Sequence, residues 1–507
     1  MALSMRYRLF SVTFVNPIIL RLIDASPDVI ELIAQCVKCN GLKSKSESDR
    51  HYGTELELGG SDRDSKTSGL SNADALIRLW CHLLMSLESR GWLLLLNAQF
   101  DRNSPANSTW YFCIDDDLDQ DANRNRPGTS YSTGHSPTIS VSAINERTIQ
   151  VIYPKHFLDH HNVHQIMLDA IGLHLAASET SQLDGHITQV VYRVRDRAGS
   201  LDSIGGKCLI MSMFQALCRS GWTFVGSGRL QADTDTLFFQ RSPTRYALNI
   251  HNRSSGATFG LLCLNGRNGL SLHGLCTPVV TTVVSCLRRY WPPGLRLEHT
   301  AVNDTRFGTS LLLHDSPWCS DTSVNFAQGT HVLTHIMALM RETGWQVVTS
   351  LTSFSNQTCV FVLRACQPLA RSPGHFVCAP LDSDKLIVTG AEHMQHWVAD
   401  WMVHQYERHT SDGDIQIDPL DSGEGTAIRL NDGHPWQQGD DWAWTIMALG
   451  RAMLALKHTH WTPVCAAVTS SRTLEKTTSA LLQIRQMTRH DIAAMRLPYS
   501  STTLNVI

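Results

Sequence analysis

Many of the marks by which proteins announce a function are missing from this 507-residue sequence. No apolar run is long enough to cross a bilayer. The most apolar stretch, Leu76 to Leu96, is broken by Arg78, His82, Glu88, Arg90 and Gly91, short of the roughly 20 uninterrupted residues that a spanning helix needs. Near the N-terminus Asn16 and Pro17 interrupt the apolar residues and no small-residue cleavage site follows, so a secretory leader is not expected. Charge of one sign is lacking too: the formal net charge is −3. A strong basic stripe usually accompanies nucleic-acid binding, so no nucleic-acid partner is expected.

Catalytic and cofactor signatures are also absent. There is no Walker-type phosphate loop, no dinucleotide-binding glycine pattern, no G-x-S-x-G elbow and no H-E-x-x-H. Gly226-Ser227-Gly228 falls in an expected hairpin turn and lacks the following helix that phosphate binding requires. Cys36-Val37-Lys38-Cys39 is the only C-x-x-C, and no second pair completes a zinc set. The 14 cysteines include Cys81, Cys208, Cys218, Cys286, Cys359 and Cys465 inside apolar runs, where a free thiol behaves as a small hydrophobe. A reduced, cytoplasmic setting is the expectation. The sequons at Asn107, Asn252, Asn303 and Asn356 are then chance matches.

What is present is a repeat. An apolar helix-like run ending in Gly-Trp recurs at Gly91-Trp92, Gly221-Trp222 and Gly344-Trp345, and a fourth copy ends in His460-Trp461. The tryptophans stand 130, 123 and 116 residues apart. Each is expected to fill the space where helix turns into strand, burying ~150–250 Å². The preceding glycine suits a helix C-cap that needs a left-handed backbone. Upstream, Gly53 to Leu58, Gly308 to Leu313 and Gly425 to Leu430 read as strands, with Gln189 to Val194 as a weaker copy. Pro317-Trp318 and Pro435-Trp436 follow two of them. Downstream of each tryptophan come two strand-like runs around a polar turn, then a second hairpin and a helix.

The fold class read from this pattern is α+β: about four tandem pseudo-repeats of a strand, helix, hairpin, hairpin, helix unit. Each is an antiparallel sheet of about five strands covered by two helices. Residues 1–40 supply the second half of a unit, with Pro27 to Lys38 as its helix and Ser26 placed to cap it. Residues 41–180, 181–292 and 293–410 read as complete units, and 411–507 as the missing first half. One unit is therefore expected to be split between the termini, which either pair and close the assembly or mark a piece of a longer array. Closure is preferred, because each orphan half would otherwise expose apolar strand edges. Asn40 to Ser71 is expected to be mostly loop around the strand at Glu55. Asp115 to Pro137 is expected to be a long hairpin insertion.

Single residues with chemical potential weigh less. His156, His160, His161 and His164 cluster, and His160 and His164 would share a helix face. No second ligand pattern accompanies them and the other units lack them, so no metal site is expected. His458 and His460 suit a helix C-terminus, and Asp440-Asp441 a helix start. Asp115-Asp116-Asp117 reads as a solvated turn. No catalytic residue and no cofactor are assigned, and whether the chain is an enzyme stays uncertain, leaning against. Packing residues recur here and catalytic residues do not. The expectation is thus a non-enzymatic repeat protein acting as a protein-interaction module or scaffold, with a protein partner. The alternative is a small-molecule or metal-binding protein or enzyme with a pocket between units. In that case the departures from the repeat, at His156 to His164, Pro317-Trp318 and Pro435-Trp436, are the places to look.

Overall fold

The computed structural model describes residues 7–16, 19–40, 42–50, 53–59, 72–98, 109–115, 137–154, 163–182, 187–195, 197–231, 234–241, 258–300, 308–318, 323–352, 358–369, 375–381, 385–406, 415–420, 425–430, 448–449, 451–452, 455, 461–469 and 479–486. It is an α+β protein of antiparallel sheets. Among the described residues no helix is long and apolar enough to cross a membrane.

Four six-stranded sheets follow one another along the chain, all with the same strand order. The first unit runs β1 (Tyr7–Asn16), β2 (Ile19–Ile23), α1 (Pro27–Cys39), β3 (Lys43–Arg50), β4 (Gly53–Gly59), α2 (Asn72–Ser89), β5 (Leu93–Ala98) and β6 (Thr109–Asp115). Its sheet order is β3-β4-β2-β1-β6-β5. The second unit repeats this with β7 (Thr138–Asn145), β8 (Thr148–Pro154), α3 (Val163–Ile171), β9 (Leu175–Gln182), β10 (Ile187–Val194), α4 (Ile204–Arg219), β11 (Thr223–Gln231) and β12 (Thr234–Gln240). In the third are β13 (Phe259–Asn265), β14 (Gly269–His273), α5 (Thr277–Tyr290), β15 (Leu295–Thr300), β16 (Thr309–Leu313), α6 (Ser323–Glu342), β17 (Trp345–Thr352) and β18 (Thr358–Ala365). The fourth comprises β19 (His375–Leu381), β20 (Lys385–Gly390), α7 (Glu392–Tyr406), β21 (Ile415–Pro419) and β22 (Gly425–Leu430). Helical residues 448, 449, 451, 452 and 455 come next, then β23 (Trp461–Thr469) and β24 (Ser479–Gln486).

This pairing corrects the expected phase. β1 and β2 do not wait for a partner at the far end of the chain. β2 pairs with β4 from Ile19↔Glu57 to Ile23↔Gly53, and β1 pairs with β6 from Tyr7↔Asp115 to Thr13↔Thr109. The first hairpin therefore completes the first sheet. Among the described residues no sheet draws strands from both ends of the chain, and the strand groups 7–115, 138–240, 259–365 and 375–486 replace the grouping expected from the tryptophan register. Each sheet also has six strands, not five. The additional outer strands are β3, β9, β15 and β21, and β3 lies in the segment expected to be loop.

Local chemistry explains the helices. Pro27 starts α1 and Pro278 lies second in α5, where a missing N–H costs nothing. Ser203 caps α4, its hydroxyl accepting from the Gly206 N–H at 2.9 Å. Ser26 takes the extended cap conformation, yet its side chain makes no capping bond. At the other ends, Gly91 and Gly221 have φ of 85° and 86°. Trp92 N–H donates to Leu87 O and Gly91 N–H to Glu88 O at 2.9 Å, and Trp222 and Gly221 repeat the pattern on Leu217 and Cys218. That bond pair satisfies carbonyls that a helix end would leave bare.

Within a unit, alternation sends Phe10, Val12, Phe14, Trp110 and Phe112 to one face, where α1 and α2 cover them. The opposite face is also buried but carries small polar side chains: Ser11, Thr13 and Thr109 in the first sheet, Ser140, Ser142 and Thr236 in the second. Hydroxyls pair there, Thr13 with Thr109 at 2.9 Å and Ser142 with Thr236 at 2.8 Å. In the second, third and fourth sheets this face receives the second helix of the preceding unit. α2 packs on β7, α4 on β13, and α6 on β19 and β20. Polar bridges mark the contacts: Gln150 Nε2 donates to Asp74 Oδ1 at 2.8 Å, Lys207 Nζ to Asn265 Oδ1 at 3.4 Å, and Thr389 Oγ1 to Thr330 Oγ1 at 3.3 Å.

The series returns on itself. The inner edge strands β5, β11, β17 and β23 meet one another, β23 lying against both β17 and β5. Arg451, in the helical stretch of the fourth unit, donates to both carboxylate oxygens of Asp24 at 3.0 and 3.1 Å. The first and last units thus touch through the edge strands β5 and β23 and the Asp24–Arg451 pair, not through a shared sheet.

Candidate interaction surface

The residues singled out by sequence resolve mostly into packing. Trp92, Trp222 and Trp345 are buried at the helix-to-strand turns; the side chain of Trp461 lies outside the described residues. Trp318 is buried with its indole N–H donating to Gly269 O at 3.0 Å, so Pro317-Trp318 braces the third sheet. Gly226 and Gly228 lie in β11, where an added Cβ would meet Leu94 Cδ2 at 2.5 Å and Trp110 Cζ2 at 2.3 Å. These glycines let the inner edges of the first two sheets approach, and they sit inside a strand, not in the turn expected for them.

His164 shares a 2.9 Å hydrogen bond between its Nδ1 and the Tyr192 hydroxyl. His156, His160 and His161, Pro435-Trp436, Asp440-Asp441, His458, His460, Asp116, Asp117 and the four sequons lie outside the described residues. Cys36 is buried, its thiol donating to Ser86 Oγ at 3.5 Å, while Cys39 is exposed. Burial pushes the Cys286 thiol up to about 12 and Cys263 up to about 11, so neither forms a thiolate at neutral pH.

Two features went unread in the sequence. On α6 the Nε2 atoms of His331 and His335 are 3.1 Å apart, and the Tyr290 ring stacks on His335 at 3.8 Å and 6°. Burial, then the neighbouring His331 and Arg289, lower the His335 pKa to about 4. The spacing was visible; the stacking across two helices was not. A small cleft of about 40 Å³ also opens between α4 and the second sheet, walled by Val141, Ile149, Leu209, Met213 and Leu237 with Leu351 from the third unit.

The outer edges differ from one another in a way that bears on function. An outer edge strand presents unpaired backbone N–H and C=O groups to any extended chain that meets it, and proteins usually guard such edges with lysine, proline or a bulge. β3 carries Lys43 and Lys45 and a register shift at Ser44/Ser46. β15 carries Arg296 and a shift at Leu295/Leu297, and β21 is short and ends in Pro419. β9 shares such a shift at its start, between Leu175 and Ala177, but none of the basic residues or proline. Its sequence, Leu-Ala-Ala-Ser-Glu-Thr-Ser-Gln, holds no lysine, arginine or proline, and its register on β10 is unbroken from Gln182 to Ala177. Residues 176–181 are all exposed, so both faces of the strand are open. Polar residues without alternation gave no strand signal, which is why sequence reading passed over it.

A domain-family model, whose description names no activity, matches residues 8–113 and separately 258–362. The first match runs from β1 into β6 and the second from the residue before β13 into β18, so both follow the phase of the sheets. Together they cover less than half of the chain. No curated protein and no solved structure matches the chain.

Proposed function

We propose that the chain is a non-enzymatic interaction module, a closed scaffold that captures an extended segment of a protein partner on β9. The carrying observation is the β9 edge, exposed over residues 176–181 and without lysine, arginine or proline, beside outer edges that carry Lys43 and Lys45, Arg296 or Pro419. Strand addition draws its affinity from main-chain hydrogen bonds along such an edge. The closed arrangement of four units supplies the rigid frame that holds the edge extended. A near-neutral surface suits a protein partner and offers no general attraction to nucleic acid.

The test is capture from cell extract by the full chain, with cross-linking mass spectrometry to locate the contact. The double variant Ser178→Lys with Thr180→Lys gives β9 the lysine guard already present on β3. Recovery of a reproducible partner should fall in this variant while circular dichroism stays unchanged, and cross-links should map to 176–181. Equal recovery from the variant, or no reproducible partner at all, would overturn the reading.

A second reading, binding of a small apolar ligand, is favoured by the cleft beneath α4. It expects a fluorescent apolar probe to bind the chain and to be excluded when Leu209→Trp fills the cleft.

A further inference from the structure

His331 and His335 are four residues apart on α6 and so leave the helix from one face. Their Nε2 atoms share a 3.1 Å hydrogen bond, whose proton a bound ion would displace, with the ring planes at 79°. Two nitrogens on one metal ion stand at this separation. With metal–nitrogen distances of ~2.05 Å, 3.1 Å corresponds to an angle at the metal of about 100°, between the octahedral and tetrahedral values. The surroundings hold the pair in place. Tyr290, at the end of α5, lies flat on His335 and meets His331 edge-on, with centroids 6.4 Å apart. Such ring contacts restrict the rotation of both imidazoles. Both histidines are half-buried, which leaves a solvent side for further ligands. Arg289, exposed and 5.1 Å over the Tyr290 ring, is the neighbouring cation, and its long side chain can turn to solvent.

We propose that His331 and His335 chelate one divalent transition-metal ion of the imidazole-preferring class, Zn²⁺, Ni²⁺ or Cu²⁺, with water completing its coordination. No group of three His, Cys, Asp or Glu side chains converges among the described residues, which supply two ligands there and leave positions open. Imidazole donors without carboxylates select these ions over Mg²⁺ and Ca²⁺. Open coordination positions would let a donor atom from another molecule join the metal.

Equilibrium dialysis of the full chain against zinc, counting bound metal per chain, tests the site. Each of His331→Asn and His335→Asn should remove one zinc equivalent or weaken one by about tenfold or more. The other histidines, among 24 in the chain, are common to all three proteins and cancel in the comparison. An unchanged count and affinity in both variants would overturn the proposal. A second measurement needs no substitution. In the unaltered chain zinc should slow modification of both imidazoles by diethylpyrocarbonate about tenfold, read by mass spectrometry on the peptide carrying α6. Equal labelling with and without zinc would overturn the proposal however the variants fold.

Discussion

Phe238 lies on β12 of the second sheet, yet its ring packs into the apolar cluster of the first unit. It is fully buried and meets Trp110 edge-on, centroids 5.5 Å apart at 75°. Its chain neighbour Phe239 is equally buried but points the other way, against Phe214 at 5.2 Å in the second unit's own core. Truncating either to alanine should cost about 3–5 kcal/mol, of which ~0.5–1.5 kcal/mol for Phe238 is the edge-to-face contact. What differs is where the cost appears. Phe238→Ala should loosen the first sheet as well as the second, because the removed ring belongs to both. Hydrogen exchange followed by mass spectrometry reads this directly. Amides of β6 and β12 should both exchange roughly a hundred- to several-thousand-fold faster, the equivalent of that free energy at tenfold per ~1.4 kcal/mol. Phe239→Ala should act first on β7, β11 and β12. If Phe238→Ala speeds exchange in β12 and leaves β6 unchanged, the units are independent beads and the interleaved packing described above has no energetic content.

Two further substitutions probe single features. Gly221→Ala forces a side chain into a backbone with φ of 86° and should cost about 1–2 kcal/mol, read as a lower thermal midpoint; an unchanged midpoint would remove the left-handed cap from the account of α4. The Asp24–Arg451 pair is about one-third exposed on each side, so its coupling in a double-mutant cycle of Asp24→Asn and Arg451→Gln should be only about 0.5–1 kcal/mol and should shrink in salt. A coupling of zero at low salt would deny the pair any part in holding the first and last units together.

How much of this was legible beforehand depended on whether the determining contacts were local. The recurrence of Gly-Trp reported a helix end, and the bonds of Trp92 and Gly91 to Leu87 and Glu88 lie within six residues. The phase did not follow, because it rests on pairings such as Thr13 with Thr109 that sequence spacing leaves undetermined. Reading each unit from its tryptophan placed the first hairpin in the wrong sheet, and the reason given for closure fell with it, because β1 and β2 find their partners within the first unit. The outer strands were missed for the opposite cause. β9 and most of β21 are exposed, so nothing in burial imposes the alternation by which strands are recognised. The pair His331 and His335 shows the same limit, since helical spacing puts them together but only Tyr290, 41 positions before His331 in the chain, fixes their rings.

The loan of each unit's second helix to the following sheet has a consequence for assembly. Such a contact is head-to-tail: the surface a unit offers differs from the surface it accepts. Contacts of that kind must either come full circle or propagate without end. Here β23 against β5 and the Asp24–Arg451 pair join the last unit to the first inside one polypeptide. A chain shortened by one unit should lose that junction, and the natural way to satisfy a freed donor helix and acceptor face would be to link with its neighbours into rings of several chains or into fibres.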